Sequence, residues 1–184
     1  MDENGAMSAA KYFIAIVLPE PLLVQVEDIK QALFREYGLK GALRSPAHIT
    51  LHRPFQWKEE KQNVLIEKLK QFVIQDAFYV QLQNFGFFEP RVVYVDVLKN
   101  ENLFGLHSGL VKHVKRELNL LNEAEDLRGF YPHVTVAFRD LKKPLFYHLK
   151  ERYTNEKLEG EFEFKSFSLL KLHDKWEVLQ NFHI

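Results

Sequence analysis

The chain has 184 residues, of which 46% are hydrophobic, 14% aromatic and 27% charged, the composition of a folded domain and not of a disordered segment. It has no cysteine, which excludes disulfides, Cys-based zinc sites, iron–sulfur clusters and thiol nucleophiles; at this length roughly 70% of the unfolded surface is hidden on folding, so no cross-link is needed. Lys plus Arg (25) equals Asp plus Glu (25), so a long basic groove for duplex nucleic acid is not expected.

Residues 1–10 (MDENGAMSAA) lack the basic and apolar regions of a signal peptide and read as a flexible polar leader. No apolar run reaches the roughly 20 residues of a membrane helix. A cytoplasmic monomer with no membrane contact is expected.

Lys11 to Leu18, apolar and closed by Pro19, reads as a buried strand. Leu22, Val26, Ile29 and Leu33 have helical spacing, with Gly38 and Gly41 at the exit. Pro46 to Leu51 returns to strand character and stops at Pro54. Val64, Leu65, Leu69 and Phe72 fit a second helix, Phe78 to Phe85 a strand and Gly86 to Pro90 a turn. The order then recurs. Arg91 to Leu98 is a strand; Leu103, Leu106, Leu110, Val114 and Leu118 mark a helix; Tyr131 to Phe138 is a strand; Leu145, Phe146, Leu149 and Tyr153 suit a shorter helix. Phe162 to Leu172 and Lys175 to Phe182 read as two strands joined at His173-Asp174. Matching points, such as Ile14 with Tyr94 and Thr50 with Thr135, lie about 80 to 85 residues apart. We read residues 11–184 as one duplicated, bilobal α+β domain, with two antiparallel-type sheets facing a central cleft and helices outside.

His48-Ile49-Thr50-Leu51 and His133-Val134-Thr135-Val136 carry the chemistry. The chain has only three threonines, and two of them stand two places after a histidine. Eight histidines and three threonines placed at random give about 0.13 such pairs. On a strand, residues i and i+2 share a face, about 6.6 Å apart. Each segment therefore presents an imidazole and a hydroxyl on one face and anchors itself with aliphatic groups on the other. Two such faces across a cleft suit phosphodiester cleavage. One neutral imidazole takes a proton and the other, protonated, gives one, which histidine does near neutrality. The Thr50 and Thr135 hydroxyls can donate to the phosphate oxygens, and no metal or other cofactor is required.

These segments resemble those of the two-histidine (2H) phosphoesterase superfamily, and within it the RNA 2′,3′-cyclic phosphodiesterases, also called 2′-5′ RNA ligases. KYFIAIVLPEPL at Lys11–Leu22, AHITLHRPF at Ala47–Phe55, NFGFF at Asn84–Phe88, VVYVDV at Val92–Val97 and YPHVTVAF at Tyr131–Phe138 carry the resemblance. It implies a bilobal fold with the motifs lining the cleft. It implies opening of a 2′,3′-cyclic phosphate, on an RNA 3′ end or a small nucleotide, to a 2′-phosphate without metal. It implies His48 as proton donor and His133 as acceptor, roles that the residues themselves do not distinguish. The family often carries an arginine soon after the second motif; here Phe138 and Arg139 occupy that stretch, with Arg139 one place out.

If period two continues, His52 shares the His48 face, and Tyr131 and Arg139 share the His133 face. Tyr131 is then placed to stack on a base or sugar, Arg139 to hold a phosphate and His52 to touch substrate. His48 and His52, about 13 Å apart along a strand, cannot share a metal ion. His107, His113, His148, His173 and His183 receive no role, Phe85, Phe87 and Phe88 read as core and turn packing, and Lys142-Lys143 as a solvated pair. Two alternatives stay open: a non-catalytic module that binds RNA ends or a nucleotide, and weak 2′-5′ ligation, the reverse of a transesterification at the same site.

Overall fold

The computed structural model describes residues 8–74, 76–121 and 129–184. Most of the proposed leader, Met1–Met7, lies outside them. Strand β1 (Ala9–Val17) already includes Ala9 and Ala10, because their backbones pair with Lys58 and Trp57. Helix α1 (Leu22–Tyr37) follows β1 after Pro19 and buries Leu22, Val26 and Leu33. It ends where Gly38 turns left-handed (φ 71°) and donates to the Phe34 carbonyl at 2.8 Å. Strand β2 (His48–Lys58) and helix α2 (Gln62–Lys70) complete the first motif region.

Strands β3 (Phe78–Phe88) and β4 (Val92–Val97) form a hairpin. Helix α3 (Glu101–Leu118) starts at Asn100, whose side chain accepts from the Asn102 and Leu103 amides at 3.0 and 3.1 Å. Strand β5 (His133–Ala137), helix α4 (Lys143–Thr154) and strands β6 (Glu159–Phe164), β7 (Ser166–Leu172) and β8 (Trp176–His183) follow.

The strands form one curled antiparallel sheet in the order β6-β3-β4-β5-β2-β1-β7-β8. Its halves, β6-β3-β4-β5 and β8-β7-β1-β2, have the motif strands β5 and β2 innermost. Among the described residues one register pair joins them, Ile49 with Val134, so two expected sheets are one sheet with a narrow seam. Each half draws on both halves of the chain: β6 returns to β3, and β7 returns to β1. Helices α1 to α4 send their apolar residues into one cluster with Ile14, Ile49, Val95 and Val134, on one face of the sheet. Fully burying a side chain such as Ile14 or Leu69 contributes about 1.5–3 kcal/mol.

Among the differences from the sequence reading are three boundaries and one strand match, each with a local reason. β2 runs through Pro54, which lies where the register against β1 shifts between Tyr12–Phe55 and Ile14–His52, so no ladder amide is required of it. β3 runs through Gly86, and the turn is Glu89-Pro90. The segment Phe162 to Leu172 breaks at Lys165, sending β6 to one edge and β7 beside β1. The ladders match Ala15–Thr50 with Tyr94–Thr135, so the counterpart of Tyr94 is Ala15 and not Ile14. One residue of offset exchanges the faces: Ile14 lies in the core cluster, whereas Tyr94 lies against His133.

Candidate active site

His48 and Thr50 alternate with the buried Ile49 and Leu51, and His133 and Thr135 alternate with the buried Val134 and Val136. The four aliphatic residues belong to the helix-side core. All four polar side chains are half-buried on the opposite face. An antiparallel pair centred on Ile49–Val134 sets His48 beside Thr135 and Thr50 beside His133. The seam of the sheet thus gathers two imidazoles and two hydroxyls. Among the described residues, neither threonine hydroxyl is engaged in a hydrogen bond.

Both rings are held by the same device. His48 Nδ1 donates to the Pro46 carbonyl at 2.6 Å, and His133 Nδ1 donates to the Tyr131 carbonyl at 2.7 Å. A carbonyl can only accept, so Nδ1 carries the proton in each ring and Nε2 is the edge turned away from the local backbone.

The surroundings differ. His48 packs on Phe13 (ring centroids 4.9 Å), which is covered edge-on by Trp176 at 4.7 Å. Phe13, Ala15 and Leu170 form a small apolar cluster on this face, with Val17 and Trp176 against it. Val17 is the cross-strand partner of His48. Burial pushes the His48 imidazole down to about 4; the positive charges of Lys30 and His133 add to this, and the Pro46 carbonyl opposes it.

Lys30 reaches this motif through a brace from α1. Its side chain is 2% exposed, and its ammonium pairs with Glu27 at 2.8 Å and donates to the Ser45 carbonyl at 2.9 Å. Glu27 also accepts from the Ala47 amide at 2.7 Å. The pair therefore grips residues 45 and 47, on either side of the Pro46 carbonyl that orients His48. Sequence reading missed it, although Lys30 interrupts the apolar stripe of α1 and has a carboxylate three places earlier.

His133 stands in an aromatic wall. Tyr94 and Phe88 each lie 5.0 Å from it, and Tyr131 lies 6.5 Å away. Its cross-strand partner is Asp96. Gly86 makes the wall possible: it pairs with Tyr94, and a Cβ there would meet the Tyr94 ring at 2.3 Å. Phe88, read from the sequence as packing, thus lines the site.

The remaining expected site residues divide. Tyr131, 43% exposed, stays beside His133. His52 does not share the His48 face. The β1–β2 register shifts between Ala15–Thr50 and Ile14–His52, leaving Leu51 as an extra residue. That bulge turns His52 to the Ile14 side, where it is 1% exposed, packs edge-on against Phe55 and donates from Nδ1 to the Arg53 carbonyl at 2.9 Å. Arg139 is not carried by strand alternation either. β5 ends at Ala137, and Arg139 adopts a left-handed backbone (φ 65°) with its guanidinium 5.0 Å from the Phe138 ring centroid.

Among the described residues no three His, Asp or Glu side chains cluster as metal ligands, and no helix is long and apolar enough to cross a membrane.

Residues 18–176 match the family model of the 2′-5′ RNA ligase superfamily. A protein of Oceanobacillus iheyensis named as a phosphoesterase is 28% identical, covering 94% of this chain and 96% of its own. The RNA 2′,3′-cyclic phosphodiesterase of Archaeoglobus fulgidus is 26% identical, over 86% of this chain and 89% of its own. E. coli LigT, solved with 3′-AMP, superposes with a TM-score of 0.65 at 18% identity, covering 96% of this chain and 99% of that one. TT0787 of Thermus thermophilus does so with a TM-score of 0.64 at 22% identity, covering 94% and 97%. The chain belongs to the 2′-5′ RNA ligase superfamily and is a phosphoesterase of the two-histidine type.

Proposed function

We propose that this protein hydrolyses a 2′,3′-cyclic phosphate, on an RNA 3′ end or a small nucleotide, to a 2′-phosphate, with His48 and His133 as the acid–base pair. The observation that carries the reading is the pair of imidazoles, each held by an Nδ1–H bond to the carbonyl two residues upstream, at one seam of the sheet. Water attacks phosphorus and loses its proton to one Nε2. The bond from phosphorus to the 3′-oxygen breaks, and that oxygen takes a proton from the other ring. The Thr50 and Thr135 hydroxyls donate to the non-bridging oxygens, where charge builds. Tyr131 packs on the sugar or base. Two imidazoles and two hydroxyls complete this proton balance without a metal. The name of the Archaeoglobus relative and the 3′-AMP bound to LigT favour a nucleotide-type substrate. Ligation is the same attack on the cyclic phosphate with a 5′-hydroxyl in place of water: the 5′-oxygen bonds to phosphorus, the bond to the 3′-oxygen breaks, and a 2′-5′ linkage results.

The resemblance gives His48 the donor role. In the free protein His48, lowered to about 4, is uncharged at neutral pH. A donating His48 therefore has to be charged with help from the substrate, whose phosphate favours the imidazolium. The test is turnover of 2′,3′-cyclic nucleotides and cyclic-ended oligonucleotides in EDTA, with the phosphate position read by NMR. A 2′-phosphate product from wild type, lost in His48→Ala and His133→Ala, is expected. No turnover above background across the panel overturns the reading.

A further inference from the structure

A cavity of about 550 Å³ opens at the end of the β3–β4 hairpin, lined by Pro90, Arg91, Val92, Phe138, Arg139 and Lys143 among others. Three of these are cations. Among the described residues none of the three has a carboxylate in ion-pair contact. The carboxylates next to them in the chain are committed elsewhere. Glu89 pairs with Lys150, and Asp140 accepts from the Lys40 and Gly41 amides at 2.6 and 3.1 Å. In a chain of net charge zero, three uncompensated cations around one cavity are a local concentration of positive potential.

Two features strengthen it. Helix α4 begins at Lys143 with no side-chain cap and no acidic residue in its first turn, so nothing offsets the partial positive charge of that end. Arg139 sits in the left-handed region at φ 65°, a conformation that is strained for a non-glycine residue. The Asp140 clamp on Lys40 and Gly41 holds this loop in place.

The cavity adjoins the His133 wall. The Arg91 amide donates to the Phe88 carbonyl at 2.9 Å, and the Phe88 ring is 5.0 Å from His133. Val92 stands two places from Tyr94 on β4, the other ring at 5.0 Å. We propose that Arg91, Arg139 and Lys143 bind a second phosphate of the substrate, distinct from the phosphorus under attack. This rests on the phosphoesterase reading above and deepens it: the preferred substrate carries at least two phosphates. That phosphate comes from the adjoining phosphodiester of an RNA strand or from the terminal phosphate of a polyphosphorylated nucleotide.

The test compares the full chain with its Arg91→Gln/Lys143→Gln double variant on three substrates. These are a nucleoside 2′,3′-cyclic phosphate, the same compound bearing a 5′-diphosphate, and a cyclic-ended trinucleotide. The kcat/KM of a multi-phosphate substrate relative to the simple one is expected to fall at least about tenfold in the variant, mostly through KM. A fall confined to the trinucleotide assigns the pocket to an RNA strand, and one confined to the diphosphate assigns it to a nucleotide. Equal losses on all three substrates, leaving both ratios unchanged, overturn the proposal. A labelled trinucleotide ending in a 3′-phosphate separates this from failure of catalysis. Weaker binding by the variant, with a log K against log salt slope shallower by about 0.7 for each phosphate no longer neutralised, upholds the pocket even if no substrate is cleaved. Equal binding and equal slope overturn it.

Discussion

His48 heads an eleven-residue strand, rests on Phe13, which Trp176 covers, and is braced from α1 by Glu27 and Lys30. His133 heads a five-residue strand, stands among Tyr94, Phe88 and Tyr131, and has Asp96 across the ladder. What the segments share is the Nδ1–H bond to a carbonyl two residues back and two aliphatic anchors on the core face. What differs is the charge nearby: a buried ammonium for one, a carboxylate across the strand for the other. Orientation is duplicated, and the electrostatic setting is not. Acid–base chemistry asks for this division, because two groups doing opposite jobs need different surroundings.

The largest test of the shared part is removal of either ring. His48→Ala and His133→Ala are each expected to lower the turnover rate by about 10²- to 10⁴-fold. A variant that keeps more than about a tenth of the rate takes that ring out of the mechanism. Thr50→Val and Thr135→Val come next, each losing about 10²-fold if its hydroxyl donates to the transition state. Because the hydroxyls lie beside opposite histidines, similar losses are expected from the two variants. A loss confined to one shows that the seam is used asymmetrically.

Smaller effects sharpen the differences. Gly86→Ala forces the Tyr94 ring aside and is expected to disturb His133 alone, with a stability cost of about 1–3 kcal/mol by thermal unfolding. The His133 NMR signals should move while those of His48 stay. Lys30→Met removes a charge that holds the His48 pKa down, so that pKa should rise above about 4 in an NMR titration. An unchanged value removes Lys30 from the electrostatics of the site. The same titration has a consequence for stability. His48 is protonated less readily in the folded chain than in the unfolded one, so its contribution is complete above about 6.5 and is lost as pH falls toward 4. Replacing His48 with Gln should flatten the stability profile over that window.

The two motifs were legible because threonine is rare in this chain and a two-residue period has only one meaning on a strand. Helices α1 and α3 were legible from apolar spacing. The register was not. The extra residue at Leu51 turns His52 into the core, and nothing in LHRPF except Pro54 announces a break in the ladder. The break at Lys165, which separates β6 from β7, lies inside a run that reads as one continuous strand. Gly86 did carry a signal: an isolated glycine among phenylalanines marks a close approach, here of the Tyr94 ring. The brace from Glu27 and Lys30 depends on a helix packing against a segment well beyond its own C-terminus, which spacing alone does not specify.

The central claim is that both rings act on one phosphorus. Single-turnover hydrolysis of a 2′,3′-cyclic phosphate should therefore be measured for wild type, both alanine variants and the double variant. The account predicts a double variant little slower than either single one, since neither ring can complete the proton transfers alone. Losses that multiply across the double variant, or a single variant as fast as wild type, would contradict it.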